Sequence, residues 1–430
     1  MKNIGITVVL NDLSAFTALI KKKSETDMKN SSNSLLVFIL TLGVFGIINT
    51  EMGVVGIIPL IAETFHVSVP EAGKTVSLFA LVVAVSGPVM PLLLSGMNRK
   101  SAMLLSLGIF IAGNIVSMLT QDFTVILAAR VIPAFFHPVY VSMAFTVAAG
   151  SADKKDVPKA VAKVFIGVSA GMVLGVPATS FIAGETSFAA AMLFFAAINV
   201  VVFVATLIFV PSLPVRERIS YGQQLSVLKK PVVWYSVLAV IFINGALFGF
   251  FSYLSDYLKN ITGVSFKIIS LLLFIYGVSN IIGNMFAGKM LALNPGKTIK
   301  SIPFALIAVY TALFFAGRFI VPAAALVFIL GILGGIAGNS GQYMISSAAP
   351  EASDFANGLF LTSANLGTAA GTFVCGGIIS GIGLSPVVFG AVLFLIFGAF
   401  FVFLRQSGPL KNTASVSGAP RWTEQNGPLR

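Results

Sequence analysis

Residues 35–60 read LLVFILTLGVFGIINTEMGVVGIIPL, and Glu51 is the one ionisable side chain in the run. A hydrocarbon core about 30 Å thick is crossed by about 20 helical residues, so this stretch is long enough to span a bilayer. A carboxylate inside such a span costs roughly 2.5–3.5 kcal/mol on insertion scales, so it is kept where it faces a bundle interior or a water path and has a partner. The stretch therefore predicts a membrane-spanning helix whose Glu51 has work to do.

The rest of the chain agrees with that reading. Of 430 residues, 57% are hydrophobic and 10% charged, with mean hydropathy +0.97, where soluble domains carry about 25% charged residues. Twelve apolar runs are predicted to span, over about 35–60, 72–96, 101–120, 124–148, 160–184, 188–210, 231–255, 266–290, 299–317, 320–345, 354–381 and 385–404. Turn and charge signals such as Asn98-Arg99-Lys100, Gly184-Glu185-Thr186 and Asn294-Pro295-Gly296-Lys297 punctuate them. The expected fold class is an all-α polytopic membrane protein of two six-helix pseudo-repeats. Its expected parts are a tail 1–34, a bundle 35–210, a basic linker 211–230, a second bundle 231–405 and a disordered tail 406–430. A duplicated architecture of this kind places a solute site between its halves.

The formal charge of +12 would suit nucleic acid, but the basic residues collect between apolar runs. With the N-terminus inside, 22 Lys and Arg fall on the cytoplasmic side. Outside are Lys74, Lys259, Lys267 and Arg318. That asymmetry places both termini in the cytoplasm and argues against a nucleic-acid partner. The first residues lack a signal-peptide pattern, and Met28-Lys29-Asn30 repeats the style of Met1-Lys2-Asn3, so Met28 is a candidate natural start. Cys375 is the single cysteine and reads as packing in an apolar run.

Three ionisable residues lie deep in the predicted spans: Glu51, Arg130 and His137. Burial disfavours the charged carboxylate and a nearby guanidinium favours it, so a Glu51–Arg130 pair is expected to switch with cavity occupancy or to act as a fixed ion pair. His137 lies at i+7 from Arg130, on nearly the same face, and is the second titratable candidate. Uncharged polar and aromatic residues in the spans, Tyr140, Asn244, Tyr253, Tyr276, Asn280, Asn339, Gln342, Tyr343 and Asn365, are candidates for a partly polar, partly aromatic solute site, with interhelical bonding the plain alternative. Asp256 is expected at the outer end of span seven. Gly167, Gly171 and Gly175 recur every fourth residue before Pro177, a pattern that suits close helix contact and a bend. No metal-ligand spacing, nucleotide loop or nucleophile set occurs, so neither a cofactor nor an enzymatic reaction is expected.

These motifs resemble the major facilitator superfamily. Specifically, they look like the twelve-span drug:proton antiporter group, in the branch of arabinose, purine or nucleoside and chloramphenicol-type efflux permeases. Thr50-Glu51 through Gly56-Ile57-Ile58-Pro59 is similar to that branch's first-span signature, and Leu127-Ala128-Ala129-Arg130-Val131 to its fourth-span motif. His137 falls where the branch often has His-Gly, with Pro138 here in place of the Gly. Residues 167–177 resemble the fifth-span antiporter motif. The chain departs at Ser95-Gly96-Met97-Asn98-Arg99-Lys100, which lacks the superfamily's Asp, and at Tyr253-Leu254-Ser255-Asp256, where the branch has Tyr-x-x-Pro. The resemblance implies proton-coupled export of a small organic solute, with Glu51, Arg130 and His137 as coupling residues and a monomer in the cell membrane. The rival expectations are a uniporter or importer of sugars or nucleosides with a structural Glu51–Arg130 pair, and a non-transporting receptor.

Overall fold

The computed structural model describes residues 33–94, 96–151, 157–212, 224–350 and 353–407. The Met28 start and the predicted tail from residue 408 onward lie outside the described residues, as does most of the linker, while Gln406 and Ser407, predicted as tail, end the last helix. Twelve helices are long and apolar enough to cross a membrane. We number them α1 (Asn33–Phe65), α2 (Val69–Pro91), α3 (Arg99–Leu119), α4 (Phe123–Ser151), α5 (Lys163–Glu185), α6 (Phe188–Phe209), α7 (Pro231–Ser252), α8 (Phe266–Leu293), α9 (Pro295–Ala316), α10 (Ile320–Ala348), α11 (Phe355–Ile382) and α12 (Val387–Ser407). Each matches a predicted run. An even number of spans brings residues 33 and 407 to one side, called here the terminal face.

Local chemistry sets several starts. Asn98 Oδ1 accepts from Lys100 N at 3.0 Å, Ser187 Oγ from Ala190 N at 3.2 Å, and Asn294 Oδ1 from Lys297 N at 2.9 Å. Each caps otherwise orphaned helix N–H groups. Span seven departs from expectation. It ends at Ser252, Tyr253 breaks the ladder, and a separate short helix Leu254–Asn260 carries Asp256. That helix packs on the far end of α1.

The two halves repeat one packing scheme. In the first, α2 packs on α4, α3 on α4 and α6, and α1 on α5; in the second, α8 packs on α10, α9 on α10 and α12, and α7 on α11. The repeat holds to the residue. A Cβ on Gly167 would overlap the Thr41 carbonyl oxygen and come within 3.2 Å of Phe45 N. A Cβ on Gly367 would overlap the Ile241 carbonyl oxygen and come within 3.1 Å of Gly245 N. Both seams are offset by about 200 positions, and each lets two backbones approach as no larger residue would. Gly167→Ala and Gly371→Ala, the latter forced onto Gly245, are therefore expected to lower the melting temperature sharply. Gly288→Ala, with open space around it, is the silent control in the same assay.

Between the halves, α2 packs along α11, while α5 meets α8 through its far-side portion. Gly184 abuts Phe266, and Gly277 abuts Val173. Nearer the terminal face α5 and α8 share no sustained packing. There the amides of Asn284 on α8 and Asn339 on α10 are exposed within their spans, and that of Asn357 is exposed at the start of α11. Exposed amides at span depth belong to a watered gap rather than to lipid, so the cleft between the halves opens toward the terminal face.

Candidate functional site

Helix α1 changes character just after Glu51. Residues 33–52 are α-helical, Gly53–Ile57 form a 3-10 turn, and the α-helix resumes at Ile58–Phe65. Two glycines, Gly53 and Gly56, and Pro59 make the break cheap at this point. Gly53 rests against the Phe195 ring and Thr179 Oγ1, so the tighter turn sits where the wall is close. The change takes the carbonyls of Thr50 and Glu51 out of the regular α ladder, and buried carbonyls need donors.

Arg130 on α4 supplies them. Its guanidinium donates from Nη1 to Thr50 O at 3.2 Å, from Nη2 to Glu51 O at 3.2 Å and from Nε to Thr75 O on α2 at 3.1 Å. It also stands 5.1 Å from the centre of the Phe79 ring. The planar fork thus ties α1, α2 and α4 together at one level. The expected Glu51–Arg130 ion pair is not what forms. Arg130 takes the Glu51 backbone oxygen, while the Glu51 carboxylate turns to His137, with Oε2 2.9 Å from Nε2. The reason is the freed carbonyls: they compete for the guanidinium, and sequence spacing gives no sign of them.

The pair is enclosed. Glu51 is 6% exposed, Arg130 5% and His137 8%, and Phe79 meets the His137 ring edge-to-face at 6.1 Å. The approach of Nε2 to Oε2 is at ion-pair distance but off line for a hydrogen bond, and Nδ1 has no partner. Around it, Thr50 Oγ1 accepts from Asn199 Nδ2 at 3.0 Å and from Asn114 Nδ2 at 3.5 Å, and donates to Gly46 O. Asn114 and Asn199 are therefore helix connectors here.

The glycine motif of α5 faces α1. Gly171 lies against Ile48 and Gly175 against Asn49. Residues Gly171–Gly175 form a π-turn directly before Pro177, which opens the helix Val176–Glu185. The regular α ladder is thus interrupted next to Pro177, and the glycine seam lies inside the first half. Val173, between these glycines, reaches across to Gly277.

The other predicted site residues divide. Tyr276, Asn280 and Asn339 come together: Tyr276 stacks on Phe251 at 4.6 Å, Asn284 Nδ2 donates to Asn280 Oδ1 at 3.3 Å, and Asn339 Nδ2 to Asn284 Oδ1 at 2.7 Å. Gln342 donates to Asn357 Oδ1 at 2.7 Å, Asn365 to Leu361 O, and Tyr343 is exposed near the terminal face. Tyr140, Asn244 and Tyr253 stand apart from these. Tyr140 is wholly buried against Gly43, Asn244 Nδ2 donates to Val240 O within its own helix, and Tyr253 Oη donates to Thr372 O where Gly73 and Gly376 close in.

On the far side two more contacts join the halves. Ser255 Oγ donates to Val55 O at 3.4 Å, an oxygen to which Pro59 has no N–H to offer. Lys259 pairs with Glu63. Asp256 beside them is 3% exposed and accepts from Asn260 Nδ2 at 2.7 Å. Burial holds its carboxyl above the usual range, with Asn260 and Lys259 pulling it back and Glu63 adding to the rise.

Fold and site together define a polytopic integral membrane protein of two repeated six-helix halves, with a buried acid beside a broken first helix. Sequence comparison says which family this is. The Major Facilitator Superfamily profile matches residues 40–372 and 254–424. An MFS-type transporter of Bacillus subtilis, YtbD, is 33% identical over 369 residues, covering 83% of this chain and 91% of its own. The Escherichia coli inner membrane transport protein YdhP is 29% identical over 365 residues, covering 83% and 94%. Among solved structures, the nucleoside transporter NupG superposes with a TM-score of 0.72 at 14% identity, covering 87% and 99%. A bacterial homologue of the lysosomal transporter Spinster gives 0.70 at 17%, covering 88% and 97%. The chain belongs to the major facilitator superfamily and is a membrane transporter.

Proposed function

We propose that the chain exports a small organic solute across the cytoplasmic membrane in exchange for protons, as a monomer with both termini in the cytoplasm. It leaves the solute chemically unchanged and needs no cofactor, nucleic acid or protein partner. The observation that carries this reading is the enclosed Glu51–His137 pair, the one acid–base contact among the described residues at span depth. With Glu51 ionised and His137 protonated, the pair draws α1 onto α4. A proton taken up by Glu51 cancels that attraction and frees the imidazole. Arg130 titrates none of its partners, since all three are backbone oxygens, so it keeps the helices in register through both states. The pair is the switch and Arg130 the rivet.

Solute would enter the cleft from the terminal face and meet Tyr276, Asn280 and Asn339, with Gln342, Tyr343 and Asn365 along the way in. Tyr140, Asn244 and Tyr253 keep a packing role in this reading. Flux in proteoliposomes under an imposed pH gradient is the test, with export of labelled purines, pentoses and amphenicols compared in a strain lacking its own pumps. Flux indifferent to the gradient would sink the antiport assignment.

The far-side contacts act as the opposite gate. Closure buries Asp256, whose raised affinity for a proton means that closing takes one up. The closed gate is thus most favoured below the ordinary carboxylate range and loses that support as far-side pH rises through the raised value. In a Cys375→Ser background, labelling of Ser255→Cys by an impermeant maleimide is expected to grow as pH rises above the ordinary carboxylate range of about 4, beyond the reagent's own thiol dependence. Asp256→Asn should flatten that excess.

A further inference from the structure

On the terminal face, between α9 and α12 and away from the cleft, lies a recess that transport does not use. It has a volume of about 500 Å³ and is lined by Lys297, Lys300, Phe304 and Gln406, among others. Gln406 Nε2 donates to Gly296 O at 3.1 Å and so closes one wall. Lys297 and Lys300 are exposed one turn apart on α9, and among the described residues neither pairs with an acid. The first turn of α9 is already capped by Asn294, so the cationic character comes from the two side chains.

Beneath the lysines the surface changes. Lys300 Nζ stands 5.7 Å from the centre of the Phe403 ring, and Phe304 meets Phe403 edge-to-face at 6.2 Å. Phe304 is 52% exposed and Phe403 42%. Phe304 lies one turn deeper into the span than Lys300. Two unpaired cations at the start of a span, with exposed aromatic rings just below, have the layering of a lipid: charge at headgroup level and hydrocarbon under it.

We propose that this recess binds the phosphate of an anionic phospholipid between Lys297 and Lys300. The second N–H of the Gln406 amide is available as a further donor, and the acyl chains lie against Phe304 and Phe403. Charge selects the occupant: a zwitterionic lipid would bring its own ammonium toward the two lysines, and an anionic one does not.

Native mass spectrometry of the full chain, loaded in detergent with phosphatidylglycerol or phosphatidylethanolamine, tests this without reference to transport. The expected result is retention of phosphatidylglycerol about tenfold or more above phosphatidylethanolamine, from two basic contacts. Lys297→Gln with Lys300→Gln should bring it down to the phosphatidylethanolamine level. Lys297→Arg with Lys300→Arg should keep it, and the far-side Lys267→Gln should leave it alone. Should the double Gln variant fold poorly, either single Gln variant should still show a partial loss. A phosphatidylglycerol preference that survives loss of both lysines overturns the proposal. So does inorganic phosphate alone displacing the lipid at equal concentration, which would make this a free-anion site.

Discussion

Glu51→Gln is expected to remove coupling and to spare the fold. The glutamine keeps the shape of the side chain and its backbone oxygen still receives Arg130 Nη2, so α1 stays clamped to α4 and α2. What disappears is the acid proposed to carry a proton inward. A proton descending 100 mV supplies roughly 2.3 kcal/mol, enough to hold about a fifty-fold solute gradient. In proteoliposomes the variant should let that ratio collapse toward unity while solute exchange without a gradient persists. His137→Gln, which leaves the acid but takes away its partner, should keep coupling and move the pH at which flux is half-maximal. Full gradient-driven accumulation by Glu51→Gln would mean that the proton, if one is used, travels elsewhere.

The reason this experiment can be posed so narrowly is that half of it was legible in residues 35–60. An ionisable group in an apolar run stands out from composition alone, and Glu51, Arg130 and His137 stood out in that way. Their depths, counted from span ends, put them within reach of one another. Depth does not give the competition for the guanidinium. Gly56 and Pro59 entered only as part of a family signature, and the break they allow in α1, which frees the carbonyls of Thr50 and Glu51 for Arg130, is seen in the fold alone. The same limit applies to the polar residues of the second half. Tyr253 read as a cavity residue because it lies in an apolar span, but the span stops one residue short of it and its hydroxyl closes the seam at Thr372. The twelve spans themselves needed no such arbitration, since run length decides them.

The near-200-residue repeat adds a point that neither half gives alone. Position 51 on α1 corresponds to Phe251 on α7, where an aromatic stack with Tyr276 replaces the acid and its imidazole. The repeated seams, Gly167 on Thr41 and Gly367 on Ile241, are the same in both halves, so the backbone scaffold is duplicated and the chemistry is not. Charge at depth belongs to the first half and the amide ladder of Asn280, Asn284 and Asn339 to the second. On the proposed mechanism, a proton event in one half would reach a solute contact in the other through the packing of α2 on α11 and α5 on α8 and through the far-side contacts of α1 with the helix Leu254–Asn260.

Arg130→Met should be the most destabilising single change in the site. It leaves the buried carbonyls of Thr50 and Glu51, at the break in α1, without their outside donor, and each unsatisfied group costs about 1–3 kcal/mol; Thr75 O loses its contact to Arg130 but stays inside the continuous helix α2. A loss of about 3–5 kcal/mol is expected, seen as a much lower melting temperature and less monodisperse protein in detergent. Arg130→Lys should recover only part of it, because a compact ammonium cannot reach oxygens on two helices as the fork does. A double-mutant cycle separates this account from a Glu51–Arg130 ion pair. If the guanidinium served the carboxylate, Glu51→Gln would lessen the cost of Arg130→Met by far more than experimental scatter. Anchoring to backbone oxygens predicts that the two changes add to within about 0.5 kcal/mol, while Glu51→Gln and His137→Gln, which share one contact, should not add.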